Sequence, residues 1–476
     1  MTLDRREFVK GALGASGVVL LGGKLGASGL GSQIFERSAS HHDGLPDPSR
    51  SGIEHVVLVM MENRSFDHIL GWLPRADGRQ AGLSYVGPDG KRHKTHHQKQ
   101  LNGCGFLDPD HSYEGGRIQY NGGRMNGFLT DTANDSFAIS YYTASDRPFM
   151  GKLARHYTTC DRYFCSILGP TFPNRIFQHA GQTDRLSNTF TASQVPTIWD
   201  RLNKPDGPTG RYFYSDLPLL ALWGSKYTSI SSNLSKFMSD AAAGTLPNVS
   251  FVDPSFIGED AGTSNDDHPL ADLRAGDAFL SQLFHAVASG PGWKNTVFII
   301  NYDEWGGFFE HVPARRVTAG VPVGANPSTG VDQDLDAEHR VLTGFRVPCI
   351  IASPFARAHG GRSPVNHGFY DHTSVLKLIE WRWGLAPLTQ RDASSSPHDP
   401  ANLAHALDFT SPDPEVPNLP VLAPFVPTAC TASPASPTRA TLTANRAAPS
   451  AAADVPLPES ETWVGLRQSQ LLEGWA

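Results

Sequence analysis

Three things are scarce in this chain: cysteine, long apolar runs and excess positive charge. Its 476 residues include five cysteines, Cys104, Cys160, Cys165, Cys349 and Cys430. None forms a C-x-x-C pair, which excludes zinc-finger and thioredoxin-type chemistry. Their odd number leaves at least one thiol unpaired within a monomer. Cys160 and Cys165 are near enough to pair if the loop between them bends; the equal alternative is two free buried thiols. Forty basic against 47 acidic residues give a net charge of −7. That excludes a basic nucleic-acid-binding protein, and no nucleic-acid partner is expected. Charged residues are only 18% and apolar residues 39% of the chain, which fits a soluble globule rather than a disordered or multi-span membrane chain. Glycine and proline are plentiful, at 46 and 36 residues, so many ordered loops are expected. At about 150 residues per domain the length allows roughly three domains, and large α/β domains lower that count.

The N-terminus reads as an address. Arg5-Arg6, with Phe8 and Lys10, precedes the short Gly-rich run 11–23. A spanning helix needs ~20 apolar residues, so no stable transmembrane anchor is expected here. The pattern resembles a twin-arginine export signal, against the plain alternative of an N-terminal helix with an Arg pair. Residues 1–40 are therefore expected to be signal and leader. No strict A-x-A follows; Ala27-Ser28 and Ser38-Ala39-Ser40 are the two cleavage candidates. The implied partner during export is the twin-arginine translocase, and the implied destination is secreted or cell-wall associated. An oxidising compartment permits a disulfide.

Residues 51–409 read as one dense catalytic block. His55–Met61, Thr296–Ile300 and Val347–Ala352 are continuous apolar runs of strand length, the pattern of parallel strands covered on both faces. Between them, 271–288 carries Leu273, Ala278, Leu280, Leu283, Phe284 and Val287 at helical spacing and stops before Gly290-Pro291. A second helix is expected over His372–Trp383, with Asp371 as its N-cap. Alternation of this kind predicts an α/β fold, doubly wound, with a mostly parallel central sheet covered by helices. From Ser411 to Glu459 eleven prolines accumulate among Ala, Ser and Thr, so 411–476 is expected to be a linker or tail. Its end, Glu461–Ala476, is a short amphipathic segment that either docks back or frays.

In open α/β sheets ligands sit beyond the carboxyl ends of the strands. There the first run delivers Glu62-Asn63 and the second delivers Asp303-Glu304. Hard divalent cations take such oxygen ligands, whereas one such pair alone reads as a helix cap or a solvated turn. Gly169-Pro-Thr-Phe-Pro-Asn-Arg175 sets a hydroxyl, Thr171, four residues before a guanidinium, Arg175. A hydroxyl on a dication becomes a nucleophile, and Arg can hold phosphate oxygens; otherwise the segment is a Pro-rich turn in which Thr171 bonds its own backbone. His111, in Asp108-Pro-Asp-His, and His268, in Asp266-Asp-His-Pro, lie beside acids and suit proton transfer. His311 and His372 are weaker candidates, and His93, His96 and His97 read as surface.

These residues resemble a known family. H-V-V-L-V-M-M-E-N-R-S-F-D-H at 55–68, G-P-T-F-P-N-R at 169–175, D-D-H-P at 266–269 and N-Y-D-E-W-G-G at 301–307 are similar to the bacterial phosphoesterase family of secreted phospholipases C and acid phosphatases, within the alkaline-phosphatase-like superfamily. The resemblance spans about 51–390. It implies a divalent metal ion of unspecified identity held by Glu62, Asn63, Thr171, Asp303 and Glu304, with Thr171 as nucleophile. It also implies that His111 and His268 contact the phosphoryl group or leaving oxygen and that Arg175 neutralises phosphoryl oxygens. Two positions depart from the family pattern: Trp305 replaces an imidazole, and Glu310-His311 replaces an Asp-His pair. Larger phospholipases of the family carry extra C-terminal β domains; with only a proline-rich tail expected here, soluble or monomeric phosphodiesters are favoured over packed membrane lipid. Thr171 cannot become a formylglycine, which excludes that class of sulfatase. The expectation is a secreted metal-dependent phosphoesterase hydrolysing phosphodiesters in the manner of phospholipase C, with phosphatidylcholine or another phospholipid as substrate. Its rivals are an acid phosphatase on the same site and a catalytically dead binding protein.

Overall fold

The computed structural model describes residues 44–130, 133–358, 364–431 and 462–475. The export signal and the 432–459 part of the proline-rich stretch lie outside the described residues. Eight strands build the central sheet: β1 (His55–Met61), β2 (Thr158–Cys160), β3 (Gly210–Tyr214), β4 (Ser231–Asn233), β5 (Val249–Asp253), β6 (Thr296–Tyr302), β7 (Cys349–Ala352) and β8 (Val365–Asn366). Their order is β8-β2-β7-β6-β1-β5-β3-β4. All run one way except β7, which is antiparallel to both β6 and β2. The expected doubly wound, mostly parallel α/β fold is thus what forms. The third apolar run differs from expectation, because it is the antiparallel member. An apolar run reports that both faces are covered, not which way the strand points.

β1 lies between β5 and β6, and all its residues except His55 are buried. Because alternate side chains point to opposite faces, that burial requires a layer on each side. Helices Pro148–His156 and Leu234–Ala243 pack on Leu273–Ala288, while Thr171–Ala180 packs on His372–Trp383. The His372 helix begins as expected, with Asp371 accepting from the Thr373 N–H in a capping box with Ser374. Among the described residues no helix is long and apolar enough to cross a membrane.

The described residues 411–431 do not form a free tail. Pro420 O accepts from Ser281 Oγ at 3.0 Å, Trp293 Nε1 donates to Pro414 O at 3.0 Å, and Arg274 lies 4.3 Å over the Phe425 ring. The strap ends in a disulfide, Cys104–Cys430. Cys160, Cys165 and Cys349 are free and buried, so the Cys160–Cys165 pairing does not form. Thr462–Gln468 is helical, with Trp463 and Leu466 buried in the main core; the terminal segment docks. Borrowed partners, rather than its own composition, order this region.

Candidate active site

Three neighbouring strands, β5, β1 and β6, end on one edge and deliver Asp253, Glu62-Asn63 and Asp303-Glu304. The turn after β1 is unusual. Asn63 has φ +57°, a left-handed conformation that is uncommon outside glycine and concentrates at functional sites. Its backbone N–H donates to Asp303 Oδ1 at 3.0 Å, and the Glu304 N–H donates to the same oxygen at 2.6 Å. Glu304 Oε2 accepts from the Gly306 N–H at 2.7 Å. Gly306 has φ +63°, and a Cβ there would stand 1.9 Å from Asn63 O. Only glycine fits where the two strand ends close on each other.

His111 orients the Asn63 amide. Its Nδ1 lies 2.7 Å from Pro109 O and its Nε2 lies 3.2 Å from Asn63 Nδ2. The tautomer that satisfies both carries hydrogen on Nδ1, so the amide donates to Nε2 and turns Oδ1 towards Thr171. Thr171 Oγ1 is 3.4 Å from Asn63 Oδ1 and 3.4 Å from Glu62 Oε2.

Thr171 opens a helix, Thr171–Ala180, with Pro170 at the N-cap, so the alternative of a plain Pro-rich turn does not form. Pro173 is tolerated because first-turn N–H groups lack intrahelical acceptors anyway. Thr171 and Arg175, four residues apart, share a face. Arg175 does not meet substrate as expected. It is fully buried beneath the acids, with Nε 2.8 Å from Glu62 Oε1 and 3.2 Å from Asp303 Oδ2, and Nη1 3.0 Å from Asp253 Oδ1. Nη2 donates to the Met60 and Met61 carbonyls at 3.2 and 3.3 Å. Its donors are engaged in holding the strand ends, so it acts on the acids and not on phosphate. Asp253 also accepts from the Tyr212 hydroxyl.

One guanidinium does not neutralise this set. Burial pushes the Glu62 carboxyl well above its ordinary value, and Asp303 adds to the rise. Burial likewise raises Asp303 against the opposing pull of Arg175. The donors are all hard oxygens, and the 3.4 Å separations around Thr171 Oγ1 exceed those of good O–H···O bonds. Excess buried negative charge beside the Thr171, Glu62 and Asn63 oxygens fits a divalent cation, and Asp108, His111 and His268 offer ligand atoms within 4.8 Å of one another.

His268 stands next to this cluster. Its Nε2 is 2.8 Å from Glu259 Oε1 and 3.6 Å from Asp108 Oδ2, and its ring lies 6.2 Å from that of His111. Its N–H donates to Asp266 Oδ1 at 2.9 Å, while Asp266 O accepts from the Glu62 N–H at 2.8 Å. Asp267, at φ +75°, is anchored by Arg147 and by the Tyr302 hydroxyl. Burial lowers His268 well below its ordinary pKa and raises Glu259 well above its own. Both shifts favour the uncharged forms, a neutral imidazole beside a protonated carboxyl. Of these side chains Asp108 is the most exposed, at 17%.

Glu259, Asp253 and Asp266 were not singled out from sequence. Val249–Asp253 is also an apolar run ending in an acid, a signal weakened by Ser250. Glu259 lies in a Gly-rich loop with no marker of its own. Trp305 is buried, its Nε1 donating to Gln119 Oε1 at 2.7 Å. His311 belongs to a separate buried network in which Asp67 and Glu310 are met by Arg346 and by backbone N–H groups.

The Phosphoesterase family model matches residues 53–203 and 192–386. Non-specific phospholipase C1 of Arabidopsis thaliana is 30% identical over 384 residues, covering 73% of this chain and 70% of that protein. Phospholipase C B of Mycobacterium tuberculosis is 30% identical over 437 residues, covering 77% of this chain and 80% of that protein. Among solved structures, a Vibrio parahaemolyticus protein in the alkaline phosphatase superfamily aligns with a TM-score of 0.33 at 11% identity, over 74% of this chain and 70% of that one. With the family model and these two phospholipase relatives matching most of its length, the chain belongs to the phosphoesterase family.

Proposed function

We propose that the protein hydrolyses phosphodiesters in the manner of a phospholipase C, with Thr171 as nucleophile. The observation that carries this is the convergence of Thr171 Oγ1 with Glu62 Oε2 and Asn63 Oδ1, both at 3.4 Å, beside a buried histidine–carboxyl pair. A divalent cation on these oxygens would acidify the Thr171 hydroxyl and neutralise phosphoryl charge. Thr171 Oγ1 attacks phosphorus, its proton passing to Glu62 Oε2, 3.4 Å away, and the Oγ–P bond forms as the ester P–O bond breaks. His268, backed by Glu259, protonates the departing alkoxide. His111 holds the Asn63 amide in place, and Arg175 holds Glu62 and Asp303. Water then cleaves the phosphothreonine and releases a phosphomonoester; from phosphatidylcholine the products are diacylglycerol and phosphocholine.

The relatives named phospholipase C support the diester reading. Hydrolysis of p-nitrophenylphosphorylcholine, compared with p-nitrophenyl phosphate, tests the assignment. Preference for the monoester would make the protein an acid phosphatase on the same site. Export by the twin-arginine pathway to a secreted or cell-wall location is part of the same proposal, supported by Arg5-Arg6 and compatible with the Cys104–Cys430 disulfide.

A further inference from the structure

The C-terminal helix Thr462–Gln468 reaches the candidate site at three points. Trp463 lies flat on Phe256, with ring centroids 3.7 Å apart and planes at 6°. Phe256 begins the loop that carries Glu259, Asp266 and His268. The Trp463 ring also meets Phe172 edge-on at 5.5 Å, and Phe172 follows Thr171 directly. The Arg175 guanidinium, which holds Glu62, Asp303 and Asp253, sits 4.9 Å from the Phe256 ring and 5.9 Å from Trp463.

A hydrogen-bonded relay makes the same connection. Pro170, at the N-cap of the Thr171 helix, has no side chain that can cap it. Asn188 fills that role: its Oδ1 accepts from the Phe172 N–H at 2.8 Å, and its Nδ2 donates to Thr462 Oγ1 at 2.9 Å. Phe172, Asn188, Phe256, Thr462 and Trp463 are all buried. Buried, packed contacts of this kind transmit displacement because a close-packed interior cannot deform smoothly.

We infer that Trp463 and Thr462 are positioning residues of the active site, fixing the pose of Thr171 through Phe172 and Asn188 and that of the His268 loop through Phe256. The inference rests on the proposed role of Thr171. A C-terminal segment more than 290 positions from Thr171 in sequence thereby enters the catalytic unit, and the phosphoesterase reaction depends on its docking. A displacement of about 1 Å at a nucleophile can cost on the order of 100-fold in rate.

The test uses the full-length, metal-loaded protein and p-nitrophenylphosphorylcholine. Trp463→Ala is expected to lower kcat by about 10- to 100-fold, with KM within about threefold and metal content unchanged. Trp463→Phe, which keeps an aromatic face for Phe256, is expected to recover to within about threefold of the parent. Thr462→Val keeps the volume and removes the relay oxygen; kcat is expected to fall by about threefold or more at constant KM. If Trp463→Ala fails to fold by circular dichroism, Thr462→Val decides. Folded Trp463→Ala or Thr462→Val turning over within twofold of the parent overturns the inference. Acid quenching separates it from the reading beneath. A parent enzyme that never carries phosphate on Thr171, beside variants that still lose kcat, removes the nucleophile and leaves the positioning role standing.

Discussion

Nε2 of His268 stands 2.8 Å from Glu259 Oε1, and both side chains are buried. Burial drives their pKa values in opposite directions, His268 down and Glu259 up, and the proposed mechanism draws the leaving group's proton from this pair. Removing either partner should hurt substrates in proportion to how badly their leaving group needs that proton. His268→Asn and Glu259→Gln are expected to slow alkyl phosphodiesters by about 100-fold or more, and p-nitrophenyl esters much less. Equal losses on both substrate types would assign the pair a structural role.

Thr171→Ala should fold, because one hydroxyl contributes about 1 kcal/mol of net hydrogen bonding. Turnover should fall by several orders of magnitude, since the covalent route is lost. Thr171→Ser should retain substantial activity. Mass spectrometry of acid-quenched enzyme should find phosphate on the Thr171 peptide; a fast Thr171→Ala enzyme would show that another group attacks.

The acid cluster predicts how metal and pH act together. Glu62 and Asp303 hold protons more tightly folded than unfolded, and Asp266 is pushed up to about 7. In metal-free protein their contribution to stability is full below the ordinary carboxylate range near ~4 and is lost as pH rises through the folded values. A cation offsets that loss. The gain in Tm on adding a divalent metal should therefore grow from pH 5 to pH 8, measured as a difference so that the buried histidines cancel. Asp303→Ala should lose bound metal and activity together. A gain independent of pH, or full metal occupancy in Asp303→Ala, would contradict the assignment.

Changing Arg5 and Arg6 both to Lys should leave the protein in the cytoplasm of an expressing host with a working twin-arginine pathway. Fractionation that finds the double variant exported as before would remove that address from the N-terminus.

Much of this arrangement is legible in the residues. The runs His55–Met61 and Thr296–Ile300 announce buried strands because both faces are apolar, and the oxygens after them mark the ligand edge. Long-range partnership is not legible in this way. Arg175 looks like a phosphate clamp from its spacing to Thr171, yet three carboxylates arriving from separate strands take its donors. Glu259 has a meaning only once its loop folds onto His268. The direction of Cys349–Ala352 is invisible because burial is symmetric to strand polarity. Composition suggested a loose C-terminus, and it could not foresee that Trp463 would find a coplanar ring in Phe256.

The bond between Cys104 and Cys430 joins positions 326 residues apart and so closes most of the catalytic body into a covalent ring. A protease that cuts once within the ring opens it without releasing a fragment. Strand ends, the Thr171 helix and the His268 loop stay on one connected molecule, and a nick in an exposed loop need not end activity. On a gel such a nicked enzyme would run intact until a reductant is added. Outside a cell, where proteases are common and thiols scarce, the ring would act as insurance against scission rather than only as a brace for the fold.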